Sequence, residues 1–122
     1  MSTPEQDKAK ELADAIRALG DVFLSRIPAA MLAMQTELAN IQNDANEQGS
    51  WKTLHRHLHT MAGSAGTFGY DELGDRAREL EDQINTILKA NETIEAESRL
   101  EFIRAQHEFI EWVDANFVRT FG

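Results

Sequence analysis

The segment HRHLHTMAGSAGTFGYDELGDRARELED, residues 55–82, holds two helical patterns separated by a breaker. Leu58, Met61, Ala65 and Phe68 recur at spacings of three, four and three, which places them on one face of an α-helix. Trp51 and Leu54 extend that stripe upstream. Gly69 interrupts it, and a second stripe then runs through Leu73, Ala77, Leu80, Ile84 and Leu88. Two amphipathic helices with a short connection pack as antiparallel neighbours. Ser50 is expected to cap the first and Asp71 the second, because a short oxygen-bearing side chain can accept from the free N–H groups of a first turn.

The same periodicity fills the rest of the chain. Leu12, Ile16, Leu19, Phe23 and Ile27 form a stripe that Pro28 is expected to end or kink, since proline lacks the N–H a helix interior needs. Met31, Met34, Leu38 and Ile41 form another, followed by a polar loop from Gln42 to Ser50. A second polar stretch, KANETIEAES, precedes a last helix with Leu100, Ile103, Phe109, Ile110, Val113 and Phe117 on its apolar arc. No segment alternates as a strand would. Stripes this narrow bury themselves only against one another. The expected fold is therefore all-α, an antiparallel up-and-down four-helix bundle with an additional N-terminal helix. Residues 1–122 read as a single domain; the end ANFVRTFG has no clear cap, as in a piece excised from a longer protein.

Composition excludes several classes of function. With 12 Lys and Arg against 21 Asp and Glu, the formal charge is −9, the wrong sign for a phosphate-backbone binder. The absence of cysteine rules out thiolate chemistry and a disulfide framework. No apolar run is long enough for a membrane span, and the polar start MSTPEQDKAKE is no signal peptide. A monomeric cytoplasmic protein with protein partners is the expectation.

The chemistry concentrates around His59. At about 100° per residue, His59 lies roughly 130° from the centre of its helix's stripe, on the solvent side. Gly63 and Gly66 share that flank, and Ala62 is expected at its edge. Glycine inside a helix costs roughly 1 kcal/mol relative to alanine, and these two stand on the face that packing does not use. They clear the surface beside the imidazole, where residue 63 would otherwise project a side chain. His55 reads as an ordinary surface residue, His57, on the other side of the stripe, as a half-buried edge residue, and His107 as a packing residue.

A second observation comes from register. Nine residues separate His59 from Phe68 and ten separate Asp71 from Glu81, about 14 and 15 Å of helix rise. In a hairpin the two side chains stand at the same height. A carboxylate accepting from Nδ1–H of His59 would leave Nε2 unprotonated and facing outward as a nucleophile. Arg78, one turn nearer the hairpin than Glu81, brings positive charge.

These residues resemble the histidine-containing phosphotransfer (HPt) family, most closely the phosphotransfer domain at the front of chemotaxis histidine kinases. That pattern has a histidine, two residues, a lysine, a glycine and a small residue, then a glycine-bearing turn and a helix ending in Leu–Glu. His59, Gly63, Ser64, Gly66, Gly69, Leu73, Leu80 and Glu81 match it over about a quarter of the chain. The departure is Ala62, where the family carries lysine; Lys52, Arg56 and Arg78 are the cations available to substitute. Arg78 stands where the chemotaxis kinases carry a second histidine.

The resemblance implies a phosphorelay intermediate of two-component signalling. His59 would take a phosphoryl group from a receiver-domain aspartate or a histidine kinase and pass it to another receiver. It implies no cofactor on this chain, with Mg²⁺ supplied by the receiver. Without a nucleotide-binding motif the chain is expected not to be an enzyme. Two alternatives stand beside this reading. One is a docking or structural bundle that binds receivers without carrying phosphate. The other is a metal site built on His55 and His59 at i, i+4, which lacks a third ligand in the sequence.

Overall fold

A 40-residue helix, α1 (Pro4–Asn43), sets the length of the molecule. The computed structural model describes residues 3–44, 48–90 and 96–118. Three shorter helices follow: α2 (Gln48–Thr67), α3 (Asp71–Lys89) and α4 (Ala96–Val113), the last continuing into a wide π-helical turn, Asp114–Val118. Among the described residues there is no strand. Each helix packs on two others, α1 on α2, α2 on α3, α3 on α4 and α4 back on α1.

The separate N-terminal helix expected from Pro28 is not present. Pro28 lies inside α1, although an interior proline removes one ladder hydrogen bond and costs about 3 kcal/mol. Ile27 and Met31, on either side of it, are both buried in the core, so tertiary packing carries the helix through. The start of α1 is fixed locally. Thr3 Oγ1 accepts from Gln6 N–H at 3.2 Å and Gln6 Oε1 accepts from Thr3 N–H at 2.9 Å, a capping box with Pro4 just inside it.

The first stripe also departs from expectation. Leu12, Ile16, Leu19 and Val22 are 62, 45, 57 and 44% exposed. At 1.5 Å per residue α1 is about 60 Å long, against about 30 Å for each partner helix. Among the described residues, none covers its first half. Burial begins at Gly20, where a Cβ would stand 3.7 Å from the ring of Phe68.

From there α1, α2, α3 and α4 share one core, built on Ile27, Met34, Leu38, Trp51, Leu54, Leu58, Leu73, Ile84 and Phe102. Trp51 meets Phe102 with ring centroids 5.4 Å apart. On α4 the expected Phe109, Ile110 and Val113 are buried and Ile103 and Phe117 are half-buried against the core, whereas Leu100 is exposed, His107 lies outward, and Phe102 and Gln106 join the buried face. A polar residue in the centre of that face disguises its extent. Gln106 is fully buried; its amide donates to Met34 Sδ at 3.6 Å and its Oε1 has no hydrogen-bond partner. Replacing a half-satisfied buried amide by an apolar group of similar shape removes a desolvation cost. Gln106→Leu should therefore raise stability by about 1 kcal/mol, a few degrees in the midpoint of a thermal melt. A lower midpoint would show that the amide is better satisfied than its contacts indicate.

The α2–α3 turn positions the site. Gly69 adopts φ +84°, a conformation that glycine enters freely and other residues do not. Tyr70 N–H then reaches Ala65 O at 2.8 Å and Gly69 N–H reaches Gly66 O at 3.3 Å, the Schellman closure of a helix C-terminus. Two expected caps are corrected. α2 begins at Gln48, so Ser50 is a buried helical residue. Tyr70 occupies the N-cap of α3 without a side-chain bond, and Asp71 and Glu72 sit in the first turn, where acidic groups favour the helix dipole. The expected loop from Gln42 to Ser50 shrinks because α1 runs to Asn43; its residues 45–47 lie outside the described residues. So do residues 91–95 of the second polar stretch, whose last three residues, Ala96, Glu97 and Ser98, belong to α4.

Candidate functional site

His59 stands on the outer flank of α2, with 71% of its side chain exposed, and its Nδ1 is 2.6 Å from Oε1 of Glu81 on α3. Helix rise places these two at equal height, and the hairpin brings them together. A carboxylate oxygen accepts, so Nδ1 carries the hydrogen and the lone pair of Nε2 is left for chemistry. Glu81 is only 13% exposed. A shielded carboxylate holds its partner more firmly than one in bulk water, because the local dielectric is lower.

The glycines divide by role. A Cβ at Gly63 or at Gly66 would meet nothing within 4 Å. Packing does not require either one, and the surface beside His59 is flat. Gly74 on α3 is the glycine that packing does require. Its Cβ would fall 3.2 Å from the carbonyl oxygen of Ala62 and 3.4 Å from the backbone nitrogen of Gly66. The two helices are in close backbone approach there, on the same hairpin that brings Glu81 within reach of His59.

Ala62 is corrected. It is 2% exposed and part of the core, rather than on the open flank with Gly63 and Gly66. It is covered because α3 comes so near at Gly74. Lys52, Arg56 and Arg78 are exposed, and among the described residues none of them forms an ion pair. The arginine that is engaged is Arg76, which binds Glu72 at 3.0 Å and lies 4.3 Å over the ring of Trp112.

The histidines also separate. His57 is half-buried on the opposite flank of α2, as expected, and His107 is exposed rather than packed. His55 does not behave as an ordinary surface residue. Its ring lies parallel to that of His59, with centroids 6.4 Å apart, and its Nε2 is 3.9 Å from the same Glu81 oxygen. Its place one turn before His59 was visible in the sequence; its proximity to a carboxylate on another helix was not. Among the described residues, no group of three or more His, Cys, Asp or Glu side chains is arranged to hold a metal ion. Among them, too, no helix is long and apolar enough to cross a membrane.

A family model described as the Hpt domain matches residues 11–114. Comparison with curated proteins and with solved structures finds no significant match.

Proposed function

The chain belongs to the Hpt domain family, whose members are phosphotransfer modules of two-component phosphorelays, and on that premise we propose that His59 is its phosphoacceptor. The observation that carries this reading is the pairing of Nδ1 with Glu81 at 2.6 Å on a side chain that remains 71% exposed. The pairing fixes the tautomer and orients the ring, which is what a neutral imidazole needs to act as a nucleophile.

In the proposed step the Nε2 lone pair attacks the phosphorus of an aspartyl phosphate on a receiver domain. The N–P bond forms as the P–O bond to the aspartate breaks, and the carboxylate leaves with the electron pair. Delivery to a second receiver is the reverse. The receiver would supply Mg²⁺ and most of the charge stabilisation; this chain would supply an oriented nucleophile and a surface to dock on. Gly63 and Gly66 are the proposed floor of that surface. Arg56, Lys52 and Arg78 are the proposed sources of positive charge near the phosphoryl oxygens. The fold proposed for this role is an antiparallel four-helix bundle whose first helix overruns the other three.

Incubation with a panel of phosphorylated receivers tests the reading directly. Label that is acid-labile and base-stable should appear on the intact chain. Specific binding of a receiver without any label would instead support the docking-only alternative, which Ala62 in the lysine position favours.

Ala62→Lys carries its own expectation. A helical side chain leans toward the preceding turn, so a lysine at 62 would extend toward His59. Its stem must leave a closely packed contact, which costs about 1–3 kcal/mol of stability. The added cation should speed transfer by roughly ten-fold per folded molecule. Rates measured for Ala62→Lys and Arg78→Ala, singly and together, reveal whether Arg78 already fills that role. Strictly additive effects would remove Arg78 from the chemistry.

A further inference from the structure

His55 Nε2 is buried and has no hydrogen-bond partner, a rare condition for a polar atom in a folded protein. It stands 3.9 Å from Glu81 Oε1, the oxygen that His59 Nδ1 holds at 2.6 Å. Its charged or titratable neighbours along α2 are Lys52, Arg56 and His59, and the charged group that meets it from α3 is Glu81; Arg78, one turn from Glu81, is exposed. Lysine and arginine only donate. Glu81 is the one carboxylate within ion-pair reach of His55 among the described residues, and a carboxylate oxygen has lone pairs enough for two donors.

We infer that His55 is a positioning residue for His59, acting through Glu81. Its Nε2 stands 3.9 Å from the carboxylate, and its ring stacks along that of His59 at an interplanar angle of 11°. A carboxylate held from two directions has less freedom to rotate away from His59. A movement of about 1 Å closes the His55–Glu81 distance to a full hydrogen bond. The consequence for transfer rests on the reading of His59 as phosphoacceptor; the consequence for the tautomer of His59 does not.

The test uses two variants of the full chain. His55→Phe keeps the aromatic stack and the volume and removes the N–H, whereas His55→Gln restores an N–H donor at similar reach. In ¹⁵N spectra of the unphosphorylated protein, His59 should be a single Nδ1–H tautomer in the parent and in His55→Gln, and a mixture in His55→Phe. The first-order transfer constant from a saturating phosphorylated receiver should fall about two- to ten-fold in His55→Phe, the loss of one modest hydrogen bond. The receiver concentration giving half-maximal rate and the thermal midpoint should stay where they were. His55→Gln should return the rate to within about two-fold of the parent. An unchanged tautomer in His55→Phe, or a His55→Gln protein as impaired as His55→Phe, overturns the inference. Should no receiver label the parent, the phosphoacceptor reading fails, and the spectra still decide whether His55 acts on His59.

Discussion

His59→Gln abolishes phosphoryl labelling, to below roughly one hundredth of the parent, while the protein stays folded. The glutamine amide can still donate to Glu81, so the hairpin keeps its cross-helix contact, but no nucleophilic ring nitrogen remains. With 71% of the His59 side chain in solvent, the change in stability should stay within about 0.5 kcal/mol. His55→Gln, His57→Gln and His107→Gln should all remain labelled, because none of those rings combines exposure with a carboxylate at hydrogen-bonding distance. Radiolabel transfer from one phosphorylated receiver to the four variants, alongside their thermal melts, makes the comparison. Persistent labelling of His59→Gln would place the acceptor on another residue and remove the basis of the proposed function.

The second large effect separates two glycines that look alike in the sequence. Gly63→Leu should stabilise the free domain by up to about 1 kcal/mol, since leucine is the better helix former and a Cβ there meets nothing within 4 Å. Transfer from a receiver should fall by at least ten-fold, because the leucine occupies the surface the partner must approach, at a cost of about 1.4 kcal/mol or more in docking. Gly74→Leu should do the reverse to the fold. Its Cβ alone would lie 3.2 Å from the Ala62 carbonyl, so the helices must separate, with a loss of about 3 kcal/mol. Denaturant unfolding and transfer kinetics measured on both proteins test the distinction. A Gly63→Leu domain that is unfolded, or that transfers as fast as the parent, would refute the access argument.

The α2–α3 hairpin was the most legible part of the chain because every signal in it is local. Spacings of three and four, a glycine at the turn and a fixed rise per residue were enough to bring His59 and Glu81 to one height. The capping box of Thr3 and Gln6 is equally local, carried by the four residues TPEQ. On α4 periodicity picks out Phe109, Ile110 and Val113 but not Phe102 and Gln106, for a physical reason. Gln106 sits at the centre of the buried face, and a polar residue counts against burial in any periodicity argument even where the fold buries it.

What the sequence determined by itself, then, is where the chain turns helical, which faces are apolar and which histidine has a carboxylate at its own level. Periodicity and helix rise depend only on neighbours within a few residues. What only the tertiary structure decided is how far each helix stays in company with the others. Pro28 is carried through α1 because Ile27 and Met31 are buried on both sides of it, and Leu12, Ile16 and Leu19 are exposed because the other helices stop short of them. Ala62 is covered, and His55 faces Glu81, because Gly74 lets two helices approach until a Cβ would stand 3.2 Å from a backbone oxygen. That separation belongs to neither helix alone; it is set by side chains that are distant in sequence and meet only when the chain has folded.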